Sequence, residues 1–214
     1  MKTIDNKNIW FFSDPHYSHK NICRGTSGWS VENTRDFPTV EDMNTAIVDN
    51  IDSVVDQNDY LICLGDWNFA GIKNLLIFRD RINCSNVGLI CGNHDNIHGK
   101  EWNPVVIYDY DSYGQMIGAV RASEYFSFYQ QYLEISVNKT PIVLFHFPIS
   151  SWNHMSKGSI HLFGHCHSKR EDRFFNGGKS MDVGLDGNNL MPYHIDEIFY
   201  LMKDRPVKKE GHHV

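Results

Sequence analysis

Ile9-Trp10-Phe11-Phe12 runs straight into Ser13-Asp14-Pro15-His16, so four apolar residues hand the chain to a carboxylate and an imidazole. That junction recurs. Tyr60-Leu61-Ile62-Cys63-Leu64 ends on Gly65-Asp66, and Val87-Gly88-Leu89-Ile90-Cys91 on Gly92-Asn93-His94-Asp95. Ile142-Val143-Leu144-Phe145 ends on His146, and Ile160-His161-Leu162-Phe163 on Gly164-His165-Cys166-His167. Short runs of β-branched and aromatic residues with little alternation read as strands buried on both faces. In open α/β sheets the ligand crevice lies outside the carboxyl ends of the strands. Five polar clusters, each leaving a strand, therefore converge on one pocket.

The inventory of that pocket is two carboxylates (Asp14, Asp66), four imidazoles (His16, His146, His165, His167) and one amide (Asn93). Seven ligands exceed the needs of one ion and suit two that share a bridge. Asp66, with two oxygens, is the candidate bridge. Asp14 and His16 flank one residue, and so do His165 and His167. At a strand end, alternation sends each pair to one side and turns Cys166 away as a structural thiol.

The rest of the chain reads as one domain, 1–202, followed by a polar, frayed tail, 203–214. Thr39-Val40-Glu41-Asp42 predicts a helix start capped by Thr39, with Met43, Ile47, Ile51 and Val54 on the buried face. A second helix is expected over 72–82 and a hairpin turning at Asn138-Lys139. Strands are expected near 181–184 and over 198–202. Residues 18–37 read as a long loop over the pocket. Its His19, Lys20, Asn21, Arg24 and Arg35 suit a phosphate, weighed against a merely solvated surface. The segment 98–131 is dense in aromatics that suit either core or a substrate wall. His161 reads as a core histidine, and Asp182 and Asp186 as caps of the late strand rather than supports of the ligands. Helices early and antiparallel strands late point to two sheets with helices outside.

With 214 residues, 41% of them hydrophobic and 21% charged, the composition is that of a soluble globular protein. No stretch approaches the roughly 20 apolar residues of a membrane span, and the first residues lack the apolar core of a signal peptide, so the expected compartment is the cytoplasm. The five cysteines are odd in number and show no C-x-x-C spacing, as in a reducing compartment. A net charge of −6 argues against tight nonspecific binding of nucleic acid.

The ordered series Asp14-x-His16, Gly65-Asp66, Gly92-Asn93-His94-Asp95, His146 and Gly164-His165-x-His167 resembles the calcineurin-like metallophosphoesterase superfamily. Every ligand position of the family pattern is matched. His19-Lys20-Asn21-Ile22, Arg35-Asp36-Phe37, Phe147-Pro148-Ile149-Ser150-Ser151-Trp152 and Met181-Asp182-Val183-Gly184 look like its short, single-domain bacterial and phage members. The resemblance implies an α/β sandwich of two mixed sheets packed face to face with flanking helices. It implies two divalent metal ions, Mn²⁺ first and Fe, Zn or Ni as alternatives. One would be held by Asp14, His16, Asp66 and His167, the other by Asp66, Asn93, His146 and His165. A metal-bridging hydroxide would attack the phosphorus, His94 would protonate the leaving oxygen, and Asp95 would hydrogen-bond and orient His94. His19, Asn21, Arg24 and Arg35 are the substrate-binding candidates. The implied activity is hydrolysis of a phosphodiester in a nucleotide, a short oligonucleotide or another small phosphorylated substrate. The competing readings are a nuclease, a phosphomonoesterase, and a non-catalytic metal-binding interaction module on the same fold.

Overall fold

The structure is a computed structural model that describes residues 2–4, 8–69, 71–95, 106–110, 113, 115–175 and 177–209. In chain order its elements are β1 (Lys2–Thr3), β2 (Ile9–Phe12), α1 (Val40–Asp52), β3 (Tyr60–Cys63), α2 (Ile72–Arg81) and β4 (Asn86–Ile90). Then come β5 (Val106–Tyr110), β6 (Met116–Arg121), β7 (Phe128–Gln130), β8 (Tyr132–Val137) and β9 (Thr140–Phe145). The last are β10 (Ile160–Phe163), β11 (Ser180–Asp182), β12 (Tyr193–His194) and α3 (Ile195–Met202). Short 3-10 turns fill much of the loop between β2 and α1.

Two five-stranded mixed sheets form the frame, in the orders β12-β2-β3-β4-β7 and β1-β8-β9-β10-β11. In the first, β2, β3, β4 and β7 run parallel, and β12 closes one edge antiparallel to β2. Ile9, Phe11, Ile62, Leu64 and Ile90 point toward the second sheet and share a core with its Ile135, Val137, Ile142, Leu144, Ile160 and Leu162. The opposite face of the first sheet, with Phe12, Leu61, Cys63, Val87 and Leu89, is covered by Met43, Ile47 and Ile51 of α1 and by Leu75 and Phe78 of α2. Both faces of the strands are therefore apolar, which is why β2, β3 and β4 read as unbroken hydrophobic runs. The chain is an α/β sandwich with few helices.

The cap of α1 is as expected: Asp42 N–H donates to Thr39 Oγ1 at 3.1 Å, and that hydroxyl donates back to the Asp42 carboxylate at 2.6 Å. Asn138 and Lys139 both take positive φ, 51° and 65°, and the β8–β9 hairpin turns on them. Among the described residues no helix is long and apolar enough to cross a membrane.

Three expectations fail. Residues 198–202 are helical, not a strand. The run is too short for periodicity to decide, and the cap at His194 decides instead: Asp196 N–H bonds His194 Nδ1 at 3.3 Å, with Asp196 and Glu197 in the first turn. Antiparallel pairing does not dominate the late strands, since β10 lies parallel between β9 and β11. The chain from His146 to Ser159 makes that return, laying Trp152 and Met155 over the outer face at Val143. The start of the tail is anchored at Arg205 rather than frayed. Arg205 donates to Gly178 O at 2.7 Å and lies 4.2 Å above the Phe174 ring. Residues 210–214 lie outside the described residues, as do 98–105, 111, 112 and 114 of the aromatic-rich segment. Within that segment Phe126 is core, packed edge-on to Trp67 at 5.2 Å, so the core reading holds there.

Candidate metal centre

The carboxyl ends of β2, β3 and β4 in one sheet and of β9 and β10 in the other open onto the same edge of the sandwich. The loops that leave them are tied to one another by their backbones. Asp14 N–H donates to Gly65 O, His16 N–H to Asp66 O, and Gly164 N–H to His146 O, all between 2.9 and 3.1 Å. Asp14 Oδ2 accepts the His165 N–H at 2.9 Å, and Asp66 Oδ1 accepts the His94 N–H at 2.8 Å. Each carboxylate thus spends one oxygen on the scaffold and turns the other inward.

The alternation expected for the paired ligands does not apply. Asp14, His16, Asp66, His165 and His167 all have positive φ, between 48° and 70°. Non-glycine residues rarely adopt that conformation, and it concentrates at functional sites because surrounding structure must hold it in place. The backbone doubles back at each ligand, so His165 and His167 are free to face different partners. Glycines make the crowding tolerable. A Cβ on Gly164 would collide with Ser13 Oγ and lie 2.5 Å from Asp14 Oδ2. One on Gly65, at φ 108°, would collide with the His146 ring.

Two groups of ligand atoms result, each within 4.8 Å: Asp14, His16 and His167, and Asp66, His146 and His165. Asp66 Oδ2 lies 3.7 Å from His16 Nε2 and 3.6 Å from His146 Nε2, between the groups. Asn93 Oδ1 lies 3.0 Å from His146 Nε2, on the second group's side. The seven candidate ligands are therefore all brought together.

The donor chemistry fits cations. His146 Nδ1 sits 2.7 Å from Leu64 O, which can only accept, so the neutral ring carries its proton there and turns a lone pair inward at Nε2. That lone pair faces the Asn93 oxygen, one acceptor against another. His167 Nδ1 similarly sits 2.7 Å from Asp186 Oδ2, while its Nε2 meets His16 Nε2 at 3.0 Å. Asp14 Oδ1 is buried, has no hydrogen-bond partner among the described residues, and lies 3.8 Å from both His16 Nε2 and His167 Nε2. Metal–ligand bonds of roughly 2.0–2.3 Å set neighbouring donors roughly 3–4 Å apart, the spacing found here. Burial lifts the Asp14 carboxyl to about 7, helped by Asp182 and Asp66, and drives His16 far below its ordinary value. Groups this reluctant to carry charge alone are the ones a bound cation would stabilise.

Asp186 was expected to cap a strand. It instead orients His167 and is gripped by Arg35, with Nε at 2.8 Å from Oδ1 and Nη2 at 2.9 Å from Oδ2. Burial opposes its charge, but Arg35 and His167 hold its carboxyl far below the usual range. Arg35 also donates to Pro15 O and Asp14 O at 2.7 Å each, so four bonds occupy a buried guanidinium. Arg35 is a brace, not a free phosphate ligand. Asp182 does act as a cap, accepting from Ser168 and Gly184 N–H.

Asp95 also departs from expectation. Its buried carboxylate accepts three backbone N–H bonds, from Asp66 at 2.9 Å, Trp67 at 2.8 Å and Gly92 at 2.7 Å. The expected bond to the His94 ring is not among those of the described residues. Burial raises Asp95 to about 6 against those three bonds.

A cavity of about 680 Å³ opens beside the first ligand group, lined by His16, His19, Trp29, His94 and Lys169, among others. His94 is exposed there, its ring 4.7 Å from Phe69 and 5.8 Å from His16. His19 lines the cavity, stacked flat on Phe69 at 3.7 Å. Asn21, Arg24 and Lys20 do not line it: Arg24 pairs with Asp36 at 2.5 Å on the surface. Cys166 does line it and is exposed, because the turn at Gly164 ends the alternation that would have hidden it. A second cavity of about 340 Å³ adjoins the other group, between Asn93, Gln131, Phe145 and Phe147. Phe69, Trp29 and Lys169 carried no local sequence signal, since each belongs to the site only through the fold.

No protein-family model matches the chain. An uncharacterized protein of Methanocaldococcus jannaschii is 26% identical over 202 residues, covering 92% of each chain. The crystal structure of a protein of unknown function from Aquifex aeolicus superposes with a TM-score of 0.61 at 21% identity, over 92% of this chain and all of that one. That likeness extends to the fold alone.

Proposed function

We propose that the protein is a dinuclear-metal-dependent phosphoester hydrolase built on a metallophosphoesterase-type sandwich, and that its substrate is a small phosphodiester such as a nucleotide. The observation that carries the reading is the position of Asp66 Oδ2, 3.6–3.7 Å from an imidazole nitrogen of each ligand group. A bridging carboxylate with three further donors on either side is the arrangement two divalent cations require. Asp14, His16, Asp66 and His167 would hold one ion, and Asp66, Asn93, His146 and His165 the other. The mixture of imidazole and carboxylate donors suits Mn²⁺, Fe, Zn or Ni. Two such ions supply charge neutralisation at the phosphate and lower the pKa of water toward neutrality.

The chain's own contribution is the proton and the placement. His94 is exposed, faces the larger cavity and is itself no ligand, so it can donate its proton to the leaving oxygen as the P–O bond breaks. The Asp66 carboxylate fixes the His94 backbone, and Asp95 fixes the loops that carry Asp66 and Gly92. A phosphorus between the ligand groups would have a cavity on either side, which favours a diester with two substituents over a monoester with one.

Elemental analysis after loading with Mn²⁺, together with turnover of bis-p-nitrophenyl phosphate, tests the proposal. Two ions per chain are expected, with Asp66→Ala removing both and His167→Ala mainly weakening one. Saturation near one ion would end the dinuclear reading. Two ions without turnover of any phosphoester would leave a metal-binding interaction module.

A further inference from the structure

The larger cavity is not lined as a phosphate pocket alone. One wall is aromatic and runs outward from the metal ligand His16: its ring lies 5.1 Å from Phe69 and 5.3 Å from His19. His19 stacks on Phe69 with the rings 4° from parallel, and Trp29 stands edge-on to His19 at 5.6 Å. Trp29 is 51% exposed, a costly way to present an indole unless something covers it. Around this wall lie a carboxylate, an amide and a hydroxyl from Glu32, Asn33 and Thr34. The cation Lys169 completes the lining beside Cys166 and His167. Arg35 and Asp186 also border the cavity, but their charges are spent on each other.

From this arrangement we infer that the cavity is a nucleoside site: a planar, heteroatom-edged ring stacks on the exposed indole of Trp29, with its phosphate directed at His16, His94 and Lys169. The inference rests on the phosphodiesterase reading and names the class of its substrate. The volume, about 680 Å³, is that of a small-molecule site, and Glu32 and Asn33 give its lining polar groups that a heteroatom-edged ring can meet. Phosphate alone would have no use for the aromatic wall. The smaller cavity across the ligand groups is left for the other ester substituent.

The test compares mononucleotides with a ligand that lacks the base. Mn²⁺-loaded protein is titrated with adenosine, guanosine and uridine 5′-monophosphates, with ribose 5-phosphate and with phenyl phosphate. Tryptophan fluorescence and competition with bis-p-nitrophenyl phosphate are the readouts. Stacking on an aromatic side chain strengthens binding by roughly 5- to 150-fold per base, so at least one nucleotide should bind about tenfold or more tightly than ribose 5-phosphate. Trp29→Ala should abolish that preference and Trp29→Phe retain most of it, both at unchanged metal content and unchanged melting temperature. A preference near one in the wild type, or one that survives Trp29→Ala, overturns the inference, and so does phenyl phosphate binding as tightly as the best nucleotide. The two proposals fail separately. Loss of the metal stoichiometry or of all turnover sinks the phosphodiesterase reading. Quenching by free nucleosides but not by ribose, dependent on Trp29, needs neither metal nor turnover and would still support the nucleoside site.

Discussion

His167 Nδ1 lies 2.7 Å from Asp186 Oδ2, and the same carboxylate receives two N–H groups of Arg35. A candidate metal-binding histidine is thereby aimed from behind by an acid, which a buried arginine keeps ionised and in place. Burial opposes charge on His167, but the Asp186 bond and the charges of Asp14 and Asp186 outweigh it and raise its pKa. Acids in this position typically make a ligand more basic and fix its tautomer.

Asp186→Asn should therefore weaken one cation far more than the other. A change of about 10- to 100-fold in affinity is expected for the ion held with His167, by analogy with other outer partners of metal-bound histidines. Stepwise Mn²⁺ titration by calorimetry resolves the two. Equal loss at both sites would mean that Asp186 supports the loop rather than the ligand.

His94→Ala should leave both ions in place, since the residue's hydrogen bond to Asp66 comes from its backbone N–H, which alanine keeps, and its ring faces the cavity. Loss of a positioned proton donor costs about 10²–10⁴-fold in rate. The cost should fall on alkoxide leaving groups and largely spare p-nitrophenolate, which departs without a proton. Equal losses on both kinds of ester would reduce His94 to a phosphate-binding cation.

Asp95 is predicted to act through stability. Asn in its place keeps the shape but offers one acceptor oxygen where the carboxylate serves three N–H groups with two. Hydrogen bonds to a charged acceptor contribute about 1.5–3 kcal/mol each, so Asp95→Asn should lower the unfolding free energy by about 2 kcal/mol or more. Urea denaturation measures it. A variant as stable as wild type but slow only on poor leaving groups would restore the role of orienting His94.

His161 supplies a pH dependence independent of the metals. It is fully buried, receives the Ile149 N–H at Nε2 and sits 3.3 Å from Val143 O through Nδ1, the pattern of a neutral ring. Burial lowers its pKa from 6.5 to about 4, against the backbone bonds. Between those values the unfolded chain binds the extra proton, so this stability is complete above the unfolded pKa and drains as pH falls from 6.5 toward 4. The loss at pH 5 relative to pH 7.5 is about 2 kcal/mol. His161→Gln should start less stable and lose correspondingly less between those pH values. An identical pH dependence in the two proteins would refute the assignment.

What the sequence determined by itself was the strands and the kind of chemistry at their ends. β2, β3 and β4 are legible because both of their faces are buried, and a residue just past a parallel strand has few places to go except the carboxyl edge. The identities of the seven ligand candidates followed from that alone. The last helix was not legible, because Ile195–Met202 is a short apolar run and its hydrogen bond at His194 depends on β12 pairing with β2. Nor was the division of labour inside the site. His165 and His167 are two residues apart yet join different groups, because both sit at positive φ where strand alternation has no meaning. Asp95, Arg35 and Asp186 carry the right residue types for catalysis or phosphate binding, and only the tertiary structure assigned them to bracing. A side chain's role there depends on which backbone groups and charges lie within about 3 Å of it, and contacts from Arg35 to Asp186 across 151 residues leave no trace in local sequence.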